Sequence, residues 1–300
     1  MLGLLTWVVV IAVLGVAIHN YGWPWQWWDK GVEKIQQVQS GKPRPGTPLA
    51  DLSPRVRRLI RQPVFQRRFA QILFSEGDSR GRVTRWEVGT VKVGMGKDPD
   101  GRMKAYLLRL LRTLNRLQTA TRFVFTDSWW VQIRIDFVSR MRFKIETLGE
   151  GDILGVCKWQ EAGVPLGKKR MARADIFIDR DRSAQYPDGL AVVLVHELDH
   201  ALGFAGHLHD AEDRLRSVLY YGSSVPDLTA FDRAAIRVLY SRDLKTGMSS
   251  DEVTRVLSAG RERSQTGVAS YPWVTWTGPA VSGSPMDRES SLPSVESLAS

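Results

Sequence analysis

The chain has 300 residues, of which 43% are hydrophobic and 25% charged, and its formal net charge is +10 at pH 7. This length and composition allow one good-sized hydrophobic core with further segments outside it. Cys157 is the only cysteine, which excludes an intramolecular disulfide. The positive charge alone would permit nucleic acid as a partner, but no nucleic-acid-binding motif accompanies it and we expect no such partner.

Residues 1–22 are predicted to be a transmembrane anchor. The first 17 residues carry no charged side chain, and four tryptophans typical of a membrane interface follow within residues 23–28. A cleaved signal peptide is the alternative, because the apolar run is short for a membrane span. The absence of a basic residue before the run favours an anchor, whereas Lys30 and Lys34 after it weakly favour a cytoplasmic location for the rest of the chain.

Residues 23–50 contain the tryptophan-rich stretch and a linker rich in proline and glycine, and residues 51–81 are predicted to be a basic helical segment. Ser53 and Pro54 suit the cap and first position of a helix, and Pro63 is expected to interrupt it. Six arginines lie between residues 55 and 68. Three interpretations stay open: a surface for anionic lipid, a pro-segment that covers a cleft, or a solvated basic appendage.

Residues 82–261 are predicted to form one domain of strands and helices. Alternating apolar residues predict a strand at 86–93, and apolar residues at helical spacing predict a helix at 103–117. Further strands are expected at 123–125, 131–137 and 174–179. Pro187 and Asp188 then mark the start of another helix.

That helix carries His196, Glu197 and His200. The two histidines are one helical turn apart on the same face and can bind one metal ion, and Glu197 lies beside them. Four of the 5 histidines in the chain fall within residues 196–209, which favours a metal site over isolated polar residues. A catalytic zinc uses three protein ligands and leaves a position for water, so Zn²⁺ is the predicted cofactor and Glu197 the candidate general base.

The third ligand is predicted to be His207. Gly203 can adopt a positive φ, end the helix and turn the chain back toward the metal. His209 is the competitor for this role.

The pattern His196-Glu197-x-x-His200-x-x-Gly203 resembles the motif of the metzincin metallopeptidases, H-E-x-x-H-x-x-G-x-x-H, and among them the matrixin-like and astacin-like catalytic domains. Gly206 stands at the place of the third histidine, and His207 follows one residue later. Residues 217–222, Ser-Val-Leu-Tyr-Tyr-Gly, are similar to the family's methionine turn, with Leu219 at the methionine position. The resemblance implies that Tyr221 stabilises an oxyanion, and a tyrosine that merely packs near the site is the alternative.

The resemblance covers roughly residues 82–260 and implies an α+β, metzincin-like zincin fold with a twisted mixed sheet, a zinc helix and a closing helix capped by Asp227 or Thr229. It implies an extracytoplasmic zinc endopeptidase whose protein or peptide substrate adds as a strand to an edge strand at 174–179. A membrane-tethered zinc-binding scaffold without turnover is the alternative, and the chain would be secreted if residues 1–22 are cleaved. Residues 262–300 are rich in Ser, Pro and Gly and are predicted to be disordered.

Overall fold

The structure is a computed structural model that describes residues 41–74, 81–128, 130–148, 153–163, 169–210, 213 and 216–265. The predicted membrane segment, the tryptophan-rich stretch and the predicted tail from residue 266 onward lie outside these residues. None of the helices in the described ranges is both long and apolar enough to cross a membrane.

The described domain is built on a five-stranded sheet with the strand order β2-β1-β3-β5-β4. The strands are β1 (Thr90–Met95), β2 (Arg122–Phe125), β3 (Ile133–Val138), β4 (Gly155–Gly163) and β5 (Lys169–Asp179). Strands β2, β1, β3 and β5 pair in parallel, and β4 pairs antiparallel with β5. The sheet is therefore mixed, and β4 and β2 form its two edges.

The prediction that residues 174–179 form the edge strand is wrong. Strand β4, which the sequence analysis did not predict, pairs with β5 from Gly155 opposite Ile178 to Gly163 opposite Lys169. Strand β5 therefore lies inside the sheet, with β3 on its other side. In β5 the side chains of Ala174, Ile176 and Ile178 are fully buried, as expected for an inner strand.

Eight helices accompany the sheet in the described ranges. They are α1 (Pro54–Ile60), α2 (Pro63–Leu73), α3 (Met103–Leu117), α4 (Arg140–Glu146), α5 (Arg180–Ser183), α6 (Gly189–His200), α7 (Ala230–Leu239) and α8 (Ser250–Gln265). The predicted helix at 103–117 is confirmed as α3. The apolar residues at helical spacing that predicted it are all buried: Met103, Leu107, Leu110, Leu111, Leu114 and Leu117. The interruption at Pro63 is confirmed too, because α2 begins there. Helix α3 packs against β2, and helix α6 packs against β4 and β5.

Helix α2 belongs to the same core as the sheet and α6. Its residues Phe65, Phe69, Ile72 and Leu73 are all buried. The ring of Phe65 lies 5.2 Å from that of Phe231 in α7, and the ring of Phe69 lies 6.3 Å from that of Phe204, just after α6. The sequence analysis treated residues 51–81 as a segment separate from the domain, and the structure packs α2 into the domain itself.

Candidate metal centre

Helix α6 begins after Asp188, as the sequence predicted, and ends at His200, three residues before Gly203. The two residues that follow α6 are held by two aromatic side chains from other parts of the chain. The indole N–H of Trp86 donates to the carbonyl of Ala201 at 2.7 Å, and the hydroxyl of Tyr240 donates to the carbonyl of Leu202 at 2.9 Å. These bonds satisfy carbonyl groups that the end of a helix leaves without partners.

Gly203 turns the chain after α6. Its φ is +122°, and its N–H donates to the carbonyl of His200 at 2.9 Å. A side chain at this position would overlap with the carbonyl oxygen of Thr84, so the close approach also requires glycine. The positive φ expected at Gly203 is thus present, and the chain returns toward α6.

The structure brings His196, His200 and His207 together. The Nε2 atoms of His196 and His200 are 3.2 Å apart, and the Nε2 atom of His207 is 3.1 Å from each of them. A tetrahedral zinc ion with bonds of about 2.05 Å would hold its ligand nitrogens about 3.3 Å apart. These three histidines could hold a metal ion.

The other ring nitrogens show which atoms are available to a metal. The Nδ1 atom of His196 lies 2.7 Å from the carbonyl oxygen of Val218, and that of His200 lies 2.6 Å from the carbonyl oxygen of Phe204. A carbonyl oxygen only accepts, so both Nδ1 atoms carry the proton, and in the neutral rings both Nε2 atoms are unprotonated. Two unprotonated nitrogens cannot hydrogen-bond to each other, so their close contact fits a cation placed between them.

The protonation of these rings agrees with metal binding. Burial, with the charge of His207 as the second cause, lowers the pKa of His196 to about 4. Burial also lowers the pKa of His200 well below its usual value. The imidazoles are therefore neutral at neutral pH, which is the form that binds metal ions.

Glu197 lies beside this cluster with 5% of its surface exposed. Burial raises the pKa of its carboxyl to about 8. A cation held by the three histidines would favour the ionised carboxylate and lower this pKa. The edge strand passes directly over this carboxyl group, because a Cβ atom at Gly155 would lie 2.6 Å from Glu197 Oε1. Gly155 was not identified from the sequence, since β4 itself was not predicted.

His209 and Tyr221 lie next to the cluster. His209 is exposed, and its ring centre is 6.3 Å from that of His207. The ring of Tyr221 lies 6.0 Å from that of His207 and stacks on that of His209 at 6.1 Å. Tyr221 is 60% exposed. The structure places His207, and not His209, with the other two histidines.

Residues 217–221 lie next to the site, where the carbonyl of Val218 accepts from His196. Leu219, at the methionine position, is fully buried. The N–H of Leu208 donates to the carbonyl of Leu219 at 2.9 Å, and the N–H of Tyr221 donates to the carbonyl of Leu208 at 3.0 Å. This pairing joins the segment after His207 to the turn that contains Tyr221.

Asp232, in the first turn of α7, fixes the same turn, and the sequence analysis did not identify it. Its carboxylate accepts from the hydroxyl of Ser217 at 2.6 Å and from the N–H of Val218 at 3.2 Å. It also forms a reciprocal capping box with Thr229, which is one of the two predicted caps. The acidic residue three positions after Thr229 was the available signal for this role.

The comparisons with known proteins identify one family. The family model described as "Protein of unknown function (DUF2927)" matches residues 64–259, which is more than half of the chain. No curated protein sequence matches significantly. Among 88 matching chains of solved structures is that of myroilysin, with 16% identity and a TM-score of 0.33, covering 55% of this chain and 100% of that chain.

Proposed function

We infer that this chain, which belongs to the DUF2927 family, is a zinc-dependent endopeptidase with a metzincin-like zincin fold. The observation that carries this proposal is the convergence of three imidazole Nε2 atoms within 3.2 Å beside the buried carboxyl of Glu197. The resemblance of the His196–His207 segment to the metzincin motif supports the same function. Zinc is the metal proposed, because three histidines with an open position are typical of catalytic zinc sites.

The chemistry would divide between the metal and the residues of the chain. A bound zinc ion would supply a Lewis acid that polarises the scissile carbonyl and lowers the pKa of a water molecule. Glu197 would accept one proton from that water molecule. At the same time the oxygen of the water would attack the carbonyl carbon. The carboxylic acid of Glu197 returns the proton to the departing amine as the C–N bond breaks. The products are a carboxyl group and a free amino group.

Tyr221 is the proposed stabiliser of the oxyanion that forms on the scissile carbonyl. Its exposed hydroxyl belongs to a ring that lies 6.0 Å from the ring of His207. Its backbone is held by the bond from its N–H to Leu208. A phenol O–H that donates to developing negative charge would lower the barrier to attack.

Strand β4 is the proposed docking edge for the substrate, in place of residues 174–179. It is an outer strand, so in the described sheet only one of its sides is paired. An extended peptide can add to such an edge through backbone hydrogen bonds. The first residue of β4, Gly155, lies against Glu197, so a peptide on this edge would reach the general base.

The N-terminal segment supports a proposal about location. We propose that residues 1–22 anchor the chain in a membrane and that the catalytic domain is extracytoplasmic. The support for the anchor is the uncharged apolar run and the tryptophans that follow it. The support for the extracytoplasmic side is the metzincin resemblance alone. The arginines between residues 55 and 61 would lie close to such a membrane and could contact anionic lipid.

The test of the proposed function is hydrolysis of an unfolded protein by the purified full-length chain loaded with zinc. Glu197→Ala should retain one zinc ion per chain and lose activity by about 10²- to 10⁴-fold, because the general base is gone. His200→Ala should lose the metal, which separates the role of the ligand from that of the base. A wild-type chain that holds zinc without any turnover would instead support the zinc-binding scaffold, and equal activity of wild type and Glu197→Ala would refute the proposed mechanism.

A further inference from the structure

We propose that helix α2 is a positioning element of the metal centre, because it fixes both ends of the loop that carries His207. This inference depends on the metal site proposed above. It assigns a role to residues 63–74, which lie more than 120 residues before the histidines in the sequence. Three kinds of contact support it, and each involves a different part of the loop.

The backbone contact lies immediately before His207. The N–H of Gly206 donates to the carbonyl of Ile72, in the last turn of α2, at 2.9 Å. A Cβ atom at Gly206 would overlap with the carbonyl oxygens of Gln71 and Phe74. Only glycine allows the loop to approach the end of the helix this closely. Gly206 occupies the place of the third histidine in the metzincin motif, so the residue that shifts His207 by one position is the residue that docks on α2.

The aromatic contact lies two residues earlier. The rings of Phe69 and Phe204 meet edge to face at 6.3 Å, and both side chains are fully buried. The carbonyl of Phe204 also accepts the hydrogen bond from His200 Nδ1 at 2.6 Å. Helix α2 therefore packs against the residue that orients a second histidine of the cluster.

The ionic contact lies after His207. Arg68 forms a buried ion pair with Asp213, and the two side chains are 8% and 1% exposed. The pair joins α2 to the distal part of the same loop. A buried charge is costly without its partner, so this pair restricts where residue 213 can lie.

His207 therefore lies between two anchors. On one side Gly206 is bound to α2, and on the other side Leu208 is bound to the turn at residues 219–221. The bond from Leu208 joins residues that are only 11 positions apart in the sequence, whereas the bond from Gly206 requires helix α2. Displacement of α2 would move the third imidazole relative to the two imidazoles on α6.

Two phenylalanines of α2 provide a matched test. Phe69 contacts Phe204 directly. Phe65, one helical turn earlier, contacts Phe231 in α7 and stacks on Phe69 at 5.8 Å, but its ring contacts do not include Phe204. Phe65 and Phe69 are buried to the same extent, so Phe69→Leu and Phe65→Leu should lower the thermal stability of the metal-free chain similarly. We expect only Phe69→Leu to weaken zinc affinity, by about 10-fold, and to change the visible absorption of the Co²⁺-loaded chain.

Gly206→Ala should have a larger effect, with zinc affinity reduced by up to about 100-fold. Its control is Gly94→Ala, because a Cβ atom at Gly94 would also be too close to a neighbour, a side-chain methyl group of Val131 at 2.9 Å, in the sheet and not in the loop that carries His207. The measurements are zinc competition with a chromogenic chelator and the Co²⁺ spectrum, on full-length protein, without any assay of hydrolysis. If Gly206→Ala fails to fold, the phenylalanine pair still gives the answer.

Equal zinc affinities for Phe69→Leu and Phe65→Leu, with an unchanged Co²⁺ spectrum, would overturn the role of α2 and leave the metal site standing. A wild-type chain that binds neither zinc nor Co²⁺ would overturn both. A chain that binds metal, shows the expected difference between the two variants and hydrolyses nothing would support the role of α2 and refute the proposed peptidase.

Discussion

At the scale of single residues, Gly155 is a position where the sheet lies directly against the candidate general base. We predict that Gly155→Ala leaves zinc binding intact and lowers hydrolysis by about 10²-fold. The added Cβ would lie 2.6 Å from Glu197 Oε1, so the carboxyl must shift, and a displacement of about 1 Å can cost this much in rate. The measurement is the rate of substrate hydrolysis together with the zinc content.

Gly94→Ala in strand β1 is the control for this variant. Its Cβ would lie 2.9 Å from a side-chain methyl group of Val131, within the sheet and away from the histidines. Gly94→Ala should lower the thermal stability of the chain and leave the rate of hydrolysis per folded molecule unchanged. Equal loss of rate in both variants would assign the effect to the sheet and not to Glu197.

The sequence predicted the site residues to different degrees. His196, Glu197 and His200 follow from the spacing within one helix, because a helix brings residues four apart to the same face. The choice of His207 over His209 depended on Gly203 and on the family resemblance, and the structure places His207 in the cluster. Gly155 reaches the site only through a tertiary contact with α6, so no local pattern selected it. The capping-box spacing from Thr229 could have indicated Asp232 as a cap, but its contact with Val218 is tertiary and has no local signal.

At the scale of secondary-structure elements, the capping box of α7 also supports the metal site. Asp232 accepts from Val218, and the carbonyl of Val218 accepts from His196. We predict that Asp232→Ala lowers the free energy of unfolding by about 3 kcal/mol, because a helix cap is lost and buried donors lose their acceptor. It should also weaken zinc binding through the altered position of Val218. Chemical denaturation and zinc competition would measure the two effects.

Asp227→Ala is the matched control for this variant. Asp227 is exposed and accepts from the adjacent N–H of Leu228 at 2.8 Å. Its loss should cost less than about 1 kcal/mol, as is usual for exposed charged groups. If Asp232→Ala were as stable as Asp227→Ala, the proposed support of the metal site by α7 would be wrong.

Most elements of the fold could be predicted from periodicity, and the exceptions have physical reasons. The helix at 103–117 has a regular apolar face, so its limits match α3. The strand expected at 86–93 begins only at Thr90, because Trp86 is used to hold the end of α6 and not to pair in the sheet. Strand β4 carries Lys158, Gln160 and Glu161 beside its apolar residues, as an exposed edge permits, and it therefore lacks a clear alternation.

At the scale of the whole molecule, helix α2 determines where the folded domain begins. We predict that a chain starting at residue 82 does not fold, although the sequence analysis placed the start of the domain there. It would lack Phe65, Phe69, Ile72 and Leu73, and loss of even one large buried aromatic side chain typically costs about 3–5 kcal/mol. A domain of this size is typically stable by about 5–15 kcal/mol, so loss of the whole apolar face exceeds its stability.

A chain starting at residue 41 is the control and should fold, because it keeps α1 and α2. Solubility and a cooperative thermal transition measured by circular dichroism would distinguish the two chains. A soluble chain from residue 82 with a cooperative transition and bound zinc would contradict this prediction and would restore the domain boundary expected from sequence.

The contacts around the histidines come from both ends of the described chain, and this has a consequence for biosynthesis. Helix α2 leaves the ribosome early, whereas Tyr240, which holds the end of α6, leaves it about 170 residues later. During synthesis His196, His200 and His207 are already present but lack the turn at 217–221 and helix α7. Because metal affinity depends on a folded site, we expect zinc to enter after translation has passed α7, and the nascent chain to be free of it until then.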